Sequence, residues 1–287
     1  MVTTYDVTAA RAGRLLRPGR LAGARLLSVL AALTAAVSAG VSLLDPGLLR
    51  GAAVTDGNLR GTALVVLVVG VPLVLVAAQR AGRGSAPAVV AWLAALFFVG
   101  YQGVLFCFAT PMNRLFPAYV AMLGLAGWAS VALVGAIDVD AVAARLGRVP
   151  RPVPVVLGSV AALNALVWLA RAVPVAWTGV PPDSVTGSGL DTSPVLVQDL
   201  ALWLPLAIVV SVLAWRGSAW GGLLASALLL FYAAEALSVA SDQWWGVHAD
   251  DSRPDVATLG AVPVGLGLAA ALVLLWLWAM TRGRRRT

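Results

Sequence analysis

The sequence predicts an all-α, polytopic membrane protein of about eight transmembrane helices, on three observations. Hydrophobic residues make up 60% of the 287 residues. Charged residues make up only 11%, well below the roughly one quarter usual in soluble domains. Long apolar runs also recur at spanning length, about 20 residues for ~30 Å of hydrocarbon.

The runs occupy about residues 25–45, 62–79, 88–109, 117–137, 153–176, 195–215, 219–241 and 260–280. The first follows a basic stretch. Leu26 to Ala36, followed by the small residues Val37-Ser38-Ala39, also reads as a cleavable signal peptide over residues 1–39. The pairs at 88–137 and 195–241 are joined so tightly that they predict hairpins. The runs divide the chain into a basic tail (1–24), a four-helix half (25–137), a linker (138–152), a second four-helix half (153–280) and a second basic tail (281–287).

Twenty arginines and no lysine give a net charge of +7. Fifteen arginines lie before the first run, after the second, fourth and sixth, and after the eighth. The opposite loops hold Arg50, Arg60, Arg114 and Arg253 beside eight aspartates, among them Asp45, Asp183 and Asp242. Basic residues accumulate on the cytoplasmic side, so both termini are expected there, in a bacterial plasma (inner) membrane. The arginines set orientation and touch anionic lipid headgroups. Membrane lipid is the expected partner, and nucleic acid is not.

At an offset of 133 residues, Pro72-Leu73 falls on Pro205-Leu206 and Arg83-Gly84-Ser85-Ala86 on Arg216-Gly217-Ser218-Ala219. Phe98 then meets Phe231, and Gln102 meets Glu235. Four helices per repeat would give two parallel halves related by an axis along the membrane normal. The competing reading is coincidence in a chain dominated by Ala, Leu, Val, Gly and Arg.

One cysteine, Cys107, and one histidine, His248, exclude an intrachain disulfide and any cluster for zinc, haem or iron–sulfur. Without lysine there is no Schiff base. No cofactor or metal is implied, and Asp138 with Asp140 has no second acidic motif to complete a diphosphate–magnesium site. The string Val185-Thr186-Gly187-Ser188-Gly189-Leu190 reads as an outer loop, since no strand and helix start flank it.

Ionisable groups inside spans are costly and so informative. Glu235, the sole glutamate, is placed about two turns inside the outer end of its run, and Arg171 at a similar depth. Asp199 and Gln198 are placed about one turn in, and Tyr101 and Gln102 in the outer half of theirs. Tyr232, Glu235, Ser238 and Asp242 form one helical stripe. A small-molecule ligand is expected in an outward-facing pocket here, with the carboxylates as acids, Arg171 as partner or anion clamp, and Tyr101, Gln102 and Tyr232 as walls. The structural alternative pairs Arg171 with Asp199 or Glu235 to lock helices together and leaves Asn113, Arg114 and Asp242 as caps.

The stretches 97–134 (FFVGYQGVLFCFATPMNRLFPAYVAMLGLAGWASVALV) and 197–220 (VQDLALWLPLAIVVSVLAWRGSAW) resemble segments of a family of uncharacterised multi-pass membrane proteins of actinobacteria and archaea. That resemblance covers about a third of the chain. It implies a membrane fold and no activity. The residues favour binding or transport of a small molecule over an enzyme. A metal-independent membrane enzyme acting on a lipid or isoprenoid headgroup, and a structural or partner-binding protein, stand as alternatives.

Overall fold

The computed structural model describes residues 13–45, 47–249 and 256–282. The described residues form helices and no strand, apart from an isolated bridge between Leu16 and Ile137. The principal helices are α1 (Pro18–Leu44), α2 (Ala53–Gly82), α3 (Ala86–Phe108), α4 (Phe116–Ala136), the short α5 (Val139–Leu146), α6 (Pro152–Ala172), α7 (Pro194–Trp215), α8 (Ala219–Ala249) and α9 (Val256–Arg282). All but α5 form helices long and apolar enough to cross a membrane, α6 with its continuation to Thr178 and α9 over Gly260–Thr281. The protein is a multi-pass membrane protein.

Local chemistry sets the ends. Proline occupies the first turn of α1, α3, α4, α6 and α7, where its missing N–H would be unbonded anyway. The α2–α3 and α7–α8 turns close through glycines with left-handed backbone, Gly84 at φ +88° and Gly217 at φ +81°. Both turns carry the same bonds. Ser85 N–H reaches Arg80 O and Gly84 N–H reaches Ala81 O; Ser218 N–H reaches Leu213 O and Gly217 N–H reaches Ala214 O.

Three helix ends differ from the apolar runs. α1 begins at Pro18 and not 25, α2 begins at Ala53 and not 62, and α8 runs to Ala249, past 241. The first turns of α2 carry Thr55, Asp56, Asn58 and Arg60, so hydropathy misses them. They are helical because they pack on the equally polar end of α8. A Cβ on Gly57 would strike the backbone at Trp245 and Gly246, and one on Gly61 the backbone at Ser241 and Asp242. Ser241 Oγ donates to Gly61 O at 2.8 Å. The spacing Gly-x-x-x-Gly permits this close crossing. The loops expected at 46–60 and 242–259 shrink accordingly, though residues 250–255 lie outside the described residues. So do 1–12 and 283–287 of the basic tails.

α3 and α8 are the most buried spans, whereas α6 and α9 lie at the periphery. Exposed apolar side chains such as Leu163 and Leu166 on α6 and Val264 and Leu274 on α9 form surfaces suited to lipid. Buried polar groups tie the interior helices. Trp92 Nε1 donates to Ser28 Oγ (3.0 Å), and Ser42 Oγ lies 3.0 Å from Tyr119 Oη. The segment before α1 folds back along the end of α4, with Arg17 N–H on Ala136 O (2.8 Å) and Asp138 N–H on Leu15 O (2.9 Å).

α2 and α7 each contain one widened π turn, Val66–Gly70 and Asp199–Trp203. Val71 N–H reaches Val66 O, and Leu204 N–H reaches Asp199 O. Pro72 and Pro205 follow at once. A proline within a helix lacks the N–H for residue i−4 and crowds that carbonyl, and a wide turn relieves both. The two turns, the two prolines, the two glycine turns and the starts of α3 and α8 are all 133 residues apart.

Candidate functional site

Gln102 on α3 and Glu235 on α8 meet directly. Gln102 Nε2 donates to Glu235 Oε2 at 2.7 Å. Gln102 is fully buried, Glu235 partly so, and the second amide atom, Gln102 Oε1, is buried without a partner. Because α8 continues to Ala249, Glu235 stands fourteen residues (249 − 235) before its end, about 21 Å at 1.5 Å per residue. That is deeper than the expected two turns.

The π turn of α7 presents Asp199 and Trp203 toward α3, α6 and α8. Trp168 Nε1 of α6 donates to Asp199 Oδ2 (2.8 Å), and the Tyr101 hydroxyl lies beside the same carboxylate. Trp203 Nε1 donates to Gln198 Oε1 (3.3 Å), and Tyr232 Oη donates to Trp203 O (3.3 Å). Aromatic rings fill the space between. Trp203 stacks on Phe231 with centroids 4.6 Å apart, and Tyr101 sits 5.7 Å from Phe231 and 6.0 Å from Trp203. Gln198 is buried with Nε2 unpartnered. Ser238 is buried one turn beyond Glu235, on the stripe that leads to Asp242.

Seven of the eight candidate residues are thus gathered around α3, α7 and α8. Arg171 is not among them. It is exposed, with its guanidinium 5.1 Å from the centre of the Trp168 ring, and it pairs with neither Asp199 nor Glu235. Trp168, unremarked in the sequence, supplies the hydrogen bond that Arg171 was expected to offer. An indole N–H inside a span needs an acceptor, which was the available signal. Arg114 pairs with Asp45, and Asn113 Oδ1 accepts from Leu115 N–H. His248 stacks on Trp244 at 4.3 Å.

A cavity of about 210 Å³ with a mixed polar and apolar lining opens one turn beyond Gln102. Thr55, Asn58 and Thr62 of α2, Leu105 of α3, and Asp242 and Gln243 of α8 form its floor and walls. The connection before α7 covers it through Ser188 and Ser193. Thr55 Oγ1 donates to Ser188 O at 2.7 Å, pinning that cover to α2. No arginine among the described residues lines the cavity. Among the described residues no group of three or more His, Cys, Asp or Glu stands close enough to hold a metal ion.

The aromatic-packed cluster of Gln102, Asp199 and Glu235 and the cavity at Asp242 are neighbours at one end of the bundle; among the described residues no aromatic ring and none of the eight candidates lines the cavity. No family model, curated protein or solved structure matches the chain.

Proposed function

We propose that this membrane protein binds or transports a small molecule through the cavity beside the Gln102–Glu235 pair. The carrying observation is that cavity: Asp242 is its one charged wall among the described residues, and Glu235 lies two turns further down the same helix. A carboxylate in a cavity lined by no arginine among the described residues favours a ligand that is positively charged or rich in hydrogen-bond donors. About 210 Å³ lies below the roughly 300–1,000 Å³ of drug-sized sites, so the ligand is a compact one. The arginine distribution supports an outward-facing cavity and cytoplasmic termini in a bacterial plasma membrane. The matched π turns, prolines and glycine turns support two parallel halves, with Gln102 and Glu235 as equivalent residues meeting between them.

A screen of small metabolites against the purified protein tests the binding reading. Compact amines or other cations are expected to raise the wild-type melting temperature and to lose that effect in Asp242→Asn. If no compound shifts the wild type and Glu235→Gln is strongly destabilised, the second reading holds: Gln102–Glu235 and Trp168–Asp199 serve only to fasten helices. Orientation is tested with a cysteine at Thr186 in a Cys107→Ser background. An impermeant reagent is expected to label it from outside the cell, and labelling only from the cytoplasm would reverse the assignment.

A further inference from the structure

The arginine-rich end of the bundle holds two cavities of about 420 Å³ each. One lies between the segment before α1 and the α2–α3 turn, lined by Gly13, Arg14, Leu15, Ala81, Arg83 and Gly84. The other lies between the segment after α5 and the α7–α8 turn, lined by Gly147, Arg148, Val149, Ala214, Arg216 and Gly217. The turn residues correspond at the offset of 133. The segment residues correspond at 134, where Arg14-Leu15-Leu16-Arg17-Pro18 reads against Arg148-Val149-Pro150-Arg151-Pro152. Six lining residues of each cavity correspond in type, although the second is also lined by α5 and the first turn of α8 and the first by Pro18 and Leu21 of α1.

Some arginines at this end are bonded to the protein and others are not. Arg20 donates to Gly135 O (3.0 Å), Arg145 to Gly84 O (2.9 Å) and Gly13 O (2.7 Å), and Arg151 lies 5.6 Å over Trp215. These brace the protein. Arg14, Arg83, Arg148 and Arg216 are exposed and make no hydrogen bond or ion pair among the described residues. Among the described residues no carboxylate lines either cavity. Both lie where apolar helices begin, at Pro18, Ala86 and Ala219, level with the exposed Trp215. Tryptophan at that depth marks the headgroup layer.

We propose that each cavity takes the phosphate of one anionic phospholipid, clamped between its two arginines. Leu15 or Val149 and the alanines present an apolar wall to the glycerol and first methylenes. Paired guanidiniums match phosphate oxygens in geometry as well as charge, and basic pockets between spanning helices suit anionic headgroups.

The test is native mass spectrometry of the full chain in a neutral detergent with added dioleoylphosphatidylglycerol. Two lipids are expected to stay bound. Arg14→Gln/Arg83→Gln and Arg148→Gln/Arg216→Gln should each hold one, the quadruple variant none, and Arg80→Gln, outside both cavities, two. Affinity at an emptied site should fall about tenfold or more. Unchanged melting temperatures would show that the variants fold. Equal retention of dioleoylphosphatidylcholine, or two lipids held by the quadruple variant, overturns the proposal. Displacement of both lipids by millimolar inorganic phosphate would make the cavities free-anion sites and overturn the lipid assignment.

Discussion

Where α7 and α8 carry Asp199, Trp203, Ser238 and Asp242, the matching positions are Val66 and Gly70 of α2, Leu105 of α3 and Ala109 just past its end. The backbone is nevertheless the same in both: a π turn, a proline, a left-handed glycine and a second helix starting two residues later. A few proline and glycine positions set that frame, because they act on hydrogen bonding and φ alone. Side-chain chemistry is then free to diverge. One segment is apolar filling and the other carries the carboxylates, and Gln102 and Glu235 are a level at which both are polar.

The two segments also differ in length, which gives the largest expected effect. Gly61 stands where Pro194 opens α7, so everything before it on α2 is extra helix, seated on α8 through Gly57 and Gly61. Gly61→Val should push side-chain atoms into the backbone at Ser241 and Asp242 and cost about 3 kcal/mol. Gly124→Ala, with open space around it, serves as the control. A melting temperature for Gly61→Val equal to wild type would mean that this crossing does not hold the extra turns.

A smaller effect sharpens the equivalence of Gln102 and Glu235. Glu235→Ala strips the acceptor from Gln102 Nε2 and should cost about 2 kcal/mol. The exchange Gln102→Glu with Glu235→Gln restores a donor–acceptor pair across the same contact and should recover most of that loss in thermal unfolding. An exchanged protein no more stable than Glu235→Ala would show that the surroundings distinguish the two positions.

These contrasts explain what could be read in advance. Hydropathy is additive along the chain, so eight spans were legible, as was the offset that aligns Pro72 with Pro205. The π turns were not, since Val66–Gly70 and Asp199–Trp203 share little in sequence. The polar ends of α2 and α8 were invisible for a tertiary reason. Thr55 to Arg60 and Ser241 to His248 are helical against each other, at glycines whose role appears only when the helices cross. The polar candidates other than Arg171 stood out by their rarity within spans, and the structure brings them near one another. Arg171 misled because charge suggested a partner, when an aromatic face one turn away sufficed.

The bonds that Leu15 and Arg17 make to Asp138 and Ala136 have a consequence for the order in which the protein is made. Residues 15–17 leave the ribosome early and have no partner until the far end of α4 has been synthesised and inserted. Once residues 136–138 emerge, the first four spans can be fastened while Pro152 and the spans after it are still leaving the ribosome. The later spans are then threaded into the bilayer beside a finished neighbour, and α8 finds α2 and α3 already in place.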